Sequence, residues 1–112
     1  MIDEKGMLGI IGLCRGAGRA VIGVPMICEA LKKRGVRNAQ DAETAIIVIE
    51  ASDTSENTHK RITDKCAYYN VMHVRIASDC EALGRAVGKQ GAVAAVAVND
   101  ASFCRALLKK LS

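Results

Sequence analysis

The sequence predicts an α/β fold, a three-layer α/β/α sandwich with a mostly parallel central sheet. Two continuous apolar runs, residues 45–49 (AIIVI) and 92–98 (AVAAVAV), are typical of strands covered on both faces. Segments with helical periodicity alternate with such strands, which favours a parallel sheet with helices on both sides. The chain has 112 residues, of which 50% are hydrophobic, so we expect a single domain over residues 1–112.

The first third of the chain predicts a helix, a short strand and a second helix. Glycines spaced three apart between residues 6 and 12 indicate a first helix whose glycine face lies against the sheet, and further glycines at 16–18 end it. A strand at 19–22 follows. The second helix occupies residues 23–35 (GVPMICEALKKRG), because Pro25 suits a first helical turn and a glycine closes the segment.

The rest of the chain continues the alternation of helices and strands. In order, we expect a loop at 36–44, the strand at 45–49, a helix starting at Asp53 or Ser55, a strand at 71–77 (VMHVRIA), a helix over 78–88, the strand at 92–98 and a last helix from Asn99 or Asp100. Ser78 and Glu81 have the spacing of a capping box. In the strand at 71–77, apolar residues alternate with His73 and Arg75, which indicates a position near a sheet edge.

Composition restricts the classes of function. Sixteen Lys and Arg against twelve Asp and Glu give a net charge of +4, a weak preference for a polyanionic partner. One Phe, two Tyr and no Trp argue against a base-stacking platform for single strands. No segment approaches the ~20 apolar residues of a membrane span, and no basic leader precedes the apolar residues 7–14. We therefore expect a cytoplasmic protein without a membrane partner.

The cysteines indicate packing rather than chemistry. They are five, an odd number, and none forms a C-x-x-C pair. A reducing compartment without disulfides or a zinc knuckle is the expectation, and free cysteines on apolar faces act as small hydrophobes. We expect no metal site and no cofactor. The cysteines are Cys14, Cys28, Cys66, Cys80 and Cys104.

Two histidines are the candidates for acid–base catalysis. His59 stands beside Lys60 and Arg61 on the side of its helix away from the core, so we expect it to be exposed to solvent. His73 has no acidic neighbour at a spacing that would make a dyad. The spacing does not single out a triad of Cys66, His73 and Asp79. We expect no catalytic residue and no enzymatic activity.

Two basic, glycine-containing segments are candidates for contact with an anion. Residues 15–19 (RGAGR) follow a helix instead of a strand and complete neither the dinucleotide nor the P-loop spacing. Arg15 and Arg19 are either solvated or contact an RNA backbone. Arg85 and Lys89 lead into the GKQG loop near the strand ends, where open α/β sheets usually bind ligands.

Three stretches together resemble one family: LGIIGLCRGAGRAVIG, SENTHKRITDKCAYYNV and LGRAVGK. They are similar to bacterial YlxQ-type proteins of the L7Ae/L30e superfamily of ribosomal and kink-turn RNA-binding proteins, from about Leu8 to Leu111. The resemblance implies the three-layer sandwich already expected from the pattern. It also implies RNA binding in the setting of the ribosome and translation.

The resemblance further implies where RNA binds. Kink-turn binders of this superfamily carry Gly-x-Asn-Glu at the start of the second helix and a lysine three positions later, which read and support sheared G·A pairs. Gly23 keeps the glycine, but Pro25 stands at the asparagine, Met26 at the glutamate and Glu29 at the lysine. Without the side chains that recognise the G·A pairs, we expect RNA binding that is sensitive to salt and only weakly selective among RNAs. The expected RNA-binding residues are Arg15, Arg19, Gly23, Val24, Pro25, Met26, Lys32, Arg85 and Lys89.

Two departures from the family pattern would make the surface more acidic. Residues 36–44 are longer than the pattern and carry Asp41 and Glu43, and Glu50 stands near a strand end where an apolar residue is expected. The alternative function is therefore a protein-interaction module on the same fold, with Met26 and Ile27 in an apolar contact patch. The expected partners are structured RNA, ribosomal or other, and ribosome-associated proteins.

Overall fold

Helices and strands alternate along the chain, as the sequence predicts. The structure is a computed structural model that describes residues 3–35 and 46–111, so the loop expected at 36–44 lies outside the described residues. The elements are α1 (Glu4–Gly16), β1 (Ala20–Ile22), α2 (Val24–Arg34), β2 (Ile47–Glu50), α3 (Glu56–Tyr69), β3 (Met72–Arg75), α4 (Cys80–Ala86), β4 (Ala95–Val98) and α5 (Ala101–Leu111).

Short polar side chains fix where three helices begin. The Ser55 hydroxyl accepts a hydrogen bond from the backbone N–H of Thr58 at 3.2 Å, and Asp100 accepts one from Phe103 at 3.0 Å, which confirms two of the expected starts. The capping box expected at Ser78 is wrong. Asp79 caps α4, while the Ser78 hydroxyl donates to the carboxylate of Glu4 at 2.9 Å.

The central sheet is mixed, so the expectation of a mostly parallel sheet is wrong. The strand order is β1-β4-β2-β3. β2 and β3 are parallel, but β4 runs antiparallel to both of its neighbours, β1 and β2. A parallel pairing requires a crossover that returns the chain to the opposite end of the sheet. Helix α4 has only seven residues, and the N–H of Val93 donates back to the carbonyl of Cys80 at its start. The chain therefore enters β4 at the end where it left β3.

Helices cover both faces of the sheet, which confirms the three-layer architecture. On one face α1, α4 and α5 bury Met7, Ile11, Leu83 and Leu107 against strand residues that include Ile49. On the other face α2 and α3 form a second core cluster with alternate strand residues. That cluster contains Val24, Ile27, Leu31, Ile62 and Cys66 of the helices.

The glycines of α1 do not form the expected face against the sheet. A helical repeat of 3.6 residues brings Met7, Ile11 and Cys14 inward instead. Gly12 contacts a helix: a Cβ at this position would lie 2.8 Å from the carbonyl oxygen of Ala86. Gly12 therefore allows α1 and α4 to approach closely.

Candidate nucleic-acid interface

One end of the sheet gathers the turns that follow β1, β2 and β3 and the turn that precedes β4. The N–H of Gly23 donates to the carbonyl of Ala95 at 3.0 Å, and the N–H of Ala51 donates to Ala94 at 2.9 Å. On the side of β2 opposite to β4, the N–H of Ile76, just after β3, donates to the carbonyl of Glu50 at 2.9 Å. We call this the α2 end of the sheet, because helix α2 begins there.

The first turn of α2 presents backbone to solvent. Gly23 ends β1 with φ 91° and ψ 146°, a conformation that side-chain-bearing residues rarely adopt. No side chain caps the helix, and its first turn contains no acidic residue. Pro25 and Met26 are exposed, Met26 with 60% of its surface. The N–H groups of a first turn have no partner inside the helix, so they can face an anion.

The other residues of α2 that the sequence analysis singles out differ in burial and in position along the helix. Val24 packs into the core between the sheet and α2, so only its backbone is available to a partner. Glu29 is exposed and lies one turn beyond Met26. Lys32 is also exposed, but it lies in the last turn, about 12 Å along the helix axis from Val24. The structure does not bring Lys32 to the first turn.

Arg15 lines a groove that it shares with Met26 of α2, whereas Arg19 does not line that groove. A shallow groove along the edge strand β1 is lined by Arg15, Gly18, the three strand residues and Met26. The carbonyl of Arg19 accepts a hydrogen bond from the N–H of Asn99 at 2.9 Å. That contact places Arg19 at the end of β1 opposite to Gly23.

Arg85 and Lys89 form a second basic patch. Together with Gln90 and Gly91 they line a shallow depression where α4 meets the loop that leads to β4. Arg85 is paired with the exposed carboxylate of Glu81 at 3.1 Å. The same loop continues to Ala95, the hydrogen-bond acceptor of Gly23, so it adjoins the α2 end of the sheet.

Glu50 is fully buried, which overturns the expectation that it makes the surface acidic. His73 Nε2 lies 2.6 Å from Glu50 Oε1 and His59 Nδ1 lies 2.9 Å from the same oxygen. The Thr54 hydroxyl donates to Oε2, and Arg75 Nε lies 3.7 Å from Oε2. We call these five residues the Glu50 cluster.

Both expectations for the histidines are therefore corrected. His59 keeps 40% of its side chain exposed but turns its Nδ1 inward, and His73, with 16% exposed, has an acidic neighbour after all. Spacing along the chain could not reveal this contact, because it depends on the register that pairs Val48 with His73. The sequence signal that could have indicated this contact is a glutamate at the end of an apolar strand followed by a histidine on the polar side of the next strand.

The hydrogen bonds to Glu50 stabilise its charged form. Burial opposes ionisation, but the hydrogen bonds from Thr54, His59 and His73 outweigh it, so the pKa of the carboxyl lies below its usual value. Glu50 is consequently a carboxylate at neutral pH, held from several sides.

The cysteines and the conceivable triad offer no reactive centre in the described residues. All five cysteines are free thiols, and burial raises the pKa of both Cys14 and Cys66 to about 11. Asp79 caps α4 through the N–H of Ala82 at 2.8 Å, while His73 faces Glu50. Cys66, His73 and Asp79 are therefore not assembled as a triad.

Within the described ranges, no helix has the length and apolar character needed to cross a membrane.

Comparison with protein families matches residues 11–108 to the ribosomal protein L7Ae/L30e/S12e/Gadd45 family. Similar curated proteins include the RNA-binding protein YlxQ of Bacillus subtilis (strain 168), 37% identical over 102 residues and 91% of each chain. The RNA-binding protein YlxQ of Enterococcus faecium is 35% identical over 87 residues, 78% of this chain and 75% of the relative.

Two solved structures have the same architecture. A protein with unknown function from Bacillus halodurans C superposes with a TM-score of 0.74 at 29% identity and covers 93% of this chain and 94% of its own. The Giardia lamblia 15.5kD RNA binding protein superposes with a TM-score of 0.73, covering 96% of this chain and 82% of its own. At 14% identity the second likeness concerns the fold alone.

Proposed function

The chain belongs to the ribosomal protein L7Ae/L30e/S12e/Gadd45 family, and from this we propose that it is a non-enzymatic, cytoplasmic RNA-binding protein that acts as one domain. Relatives covering most of its length are named as RNA-binding proteins. Its partner is a structured RNA of the ribosome or of translation, and the protein is ribosome-associated.

The exposed first turn of α2 is the observation that carries the proposal. Gly23 turns the backbone outward, no side chain occupies the N-terminus of the helix, and Arg15 lies in the adjoining groove. Backbone N–H groups and arginines bind phosphates, which positions an RNA without reading its sequence. Arg85 and Lys89 form a second basic patch on the loop that leads to Ala95, the hydrogen-bond acceptor of Gly23.

The same turn lacks the usual means of reading a kink-turn. Pro25 has neither a polar side chain nor an N–H, and Met26 offers only a thioether. Each good base contact is worth about 1–3 kcal/mol of discrimination, so without two readers the protein binds RNA with little preference for G·A pairs. The exposed carboxylate of Glu29 also repels phosphate.

An RNA titration tests the proposal. The natural protein and the variant Pro25→Asn, Met26→Glu, Glu29→Lys are titrated at two salt concentrations with a kink-turn RNA and with a control RNA lacking the G·A pairs. The natural protein should bind both RNAs within a few-fold of each other and weaken steeply with salt, whereas the variant should prefer the kink-turn. Tight, selective binding by the natural protein would disprove the altered motif, and no binding at low salt would disprove the RNA-binding function.

Met26 favours a second candidate function, a protein-interaction module on the same fold. A methionine with 60% exposure at a helix start is an adaptable apolar contact. Ile27, expected in the same patch, is instead buried in the core, because it faces the sheet from the inner side of α2. This candidate requires concentration-dependent self-association, or capture of a ribosome-associated protein after nuclease treatment, that weakens in Met26→Ser. If Met26→Ser changes neither, the candidate is eliminated.

A further inference from the structure

Three metal-ligating side chains converge at the Glu50 cluster, which lies at the α2 end of the sheet but contains none of the residues that the RNA-binding proposal uses. The ligand atoms are one carboxylate oxygen of Glu50 and one ring nitrogen each of His59 and His73, and all lie within 4.8 Å of one another. Among residues 3–35 and 46–111, these three side chains are the group whose ligand atoms lie close enough together to hold a metal ion. We propose that Glu50, His59 and His73 form a zinc-binding site.

The ligand set matches the chemistry of zinc. Two imidazoles and one carboxylate are common zinc ligands, with bonds of about 2.0–2.2 Å, and a fourth position is left for water. Tetrahedral ligands at those bond lengths are about 3.3 Å apart, so the present 2.6 and 2.9 Å contacts to Glu50 Oε1 need to open by roughly half an ångström. Movements of this size are within the reach of side-chain rotation.

The backbone holds the three ligands on separate rigid elements. Glu50 ends β2, His73 lies in the parallel neighbour β3, and His59 lies near the start of α3, which packs over the same face. Each histidine directs a different ring nitrogen to the carboxylate, Nδ1 in His59 and Nε2 in His73. Binding a cation requires that the ring nitrogen of each histidine that faces the carboxylate carries no proton, so that its lone pair is available to the metal.

The second carboxylate oxygen is already oriented by other residues. Thr54 donates to Oε2, and Arg75, which also donates to the Thr54 hydroxyl at 3.3 Å, lies 3.7 Å from Oε2. His59 Nδ1 lies 2.9 Å from Oε2 as well as from Oε1. Outer partners of this kind fix a metal-binding carboxylate in place. Oε1 is thereby directed toward the two histidines, and the partly exposed edge of His59 provides the path by which the ion enters and the side on which water completes its coordination.

A self-contained hydrogen-bond network is the competing explanation, and the histidines allow a direct test. The chain contains only two histidines, so the imidazole nitrogen spectrum of tag-free, reduced protein consists of two ring systems. Zinc chloride is added to one equivalent, and affinity is measured in parallel by calorimetry. The expected result is a large shift of His59 Nδ1 and His73 Nε2 with a stoichiometry of one.

Variants distinguish this site from binding by the free cysteines. His59→Ala changes a partly exposed residue and leaves the core intact, while Glu50→Gln keeps the shape of the buried side chain. Each should weaken zinc binding at least tenfold, and Thr54→Val should weaken it about tenfold through the outer partner. Asp64→Asn, an exposed carboxylate on the same helix, is the matched control and should bind like the natural protein.

Two results would overturn the proposal. One is a zinc titration that leaves both imidazole systems unmoved. The other is unchanged zinc affinity in His59→Ala and in Glu50→Gln. Cobalt substitution gives a further readout, because thiolate-to-metal absorption bands would locate the ion on cysteines instead. An unmoved imidazole spectrum or unchanged zinc affinity in the variants would leave the proposed RNA binding untouched, since none of these variants alters α2 or the basic patches.

Discussion

The carboxylate of Glu50 and the imidazole of His73 lie 2.6 Å apart, although 23 residues separate them along the chain. The parallel pairing of β2 with β3 produces this contact. A fully buried carboxylate requires partners, and here it has four of them on one neighbouring strand, a loop and a helix. Glu50 is therefore a point at which several elements depend on one side chain.

Replacement of Glu50 by alanine should be strongly destabilising. The change leaves the inward nitrogens of His59 and His73 without their acceptor and removes the ion-pair partner of Arg75. Arg75 keeps its hydrogen bonds to Ala51 and Thr54. We expect a loss of about 3–5 kcal/mol in the free energy of unfolding, measured by urea denaturation in the presence of a chelator. The control is Glu81→Ala, which breaks an exposed pair and should cost less than about 1 kcal/mol. Equal losses for the two variants would show that the Glu50 cluster contributes no more to the free energy of unfolding than an exposed ion pair does.

Gly23→Ala should destabilise the protein because of backbone conformation alone. A Cβ at Gly23 would contact nothing within 4 Å, but φ is +91°. The cost of this conformation for alanine is about 1–3 kcal/mol. Gly9 makes a matched control, since it also has open space around it but lies inside α1 with ordinary helical geometry. Gly9→Ala should stabilise the protein by about 0.5–1 kcal/mol. The midpoints of thermal unfolding should move in opposite directions for the two variants.

Arg15→Gln should weaken RNA binding and make it less sensitive to salt. If Arg15 contacts one phosphate, its removal lowers the slope of log K against log salt by about 0.7–0.9. Lys65→Gln removes the same charge from the exposed face of α3, where Lys65 lines a different groove. The slope of this control should stay at the natural value. Identical slopes for both variants would mean that net charge, and not the groove beside α2, governs binding.

Asp53 should contribute to the acid sensitivity of the fold. The thiol and the backbone N–H of Cys80 both donate to its carboxylate, the latter at 2.7 Å, and they lower its pKa below 3.8. A lowered folded-state pKa gives stability that is present above the unfolded value and is lost as pH falls through the folded value. Asp53→Asn should thus flatten the dependence of stability on pH below about pH 4. An unchanged pH profile in urea denaturation would contradict this role.

The order of elements follows from local signals, whereas their directions and contacts do not. Pro25 at the start of α2 and Ser55 at the start of α3 act within a few residues, so the sequence predicts both helix starts. The antiparallel course of β4 depends on how the chain after α4 folds back to Cys80, which no periodicity records. The burial of Glu50 likewise depends on a strand register. A charge in a strand therefore indicates either a surface or a buried cluster, and only the register distinguishes them.

The position of β4 in the middle of the sheet determines when the fold can be completed during synthesis. β1 lies at the edge and pairs with β4, and β4 is also the strand that joins it to β2 and β3. A nascent chain that has produced β1 and the helix after it must therefore keep that strand unpaired until residues 95–98 leave the ribosomal exit tunnel. A truncation before β4 therefore removes the strand that connects β1 to the rest of the sheet.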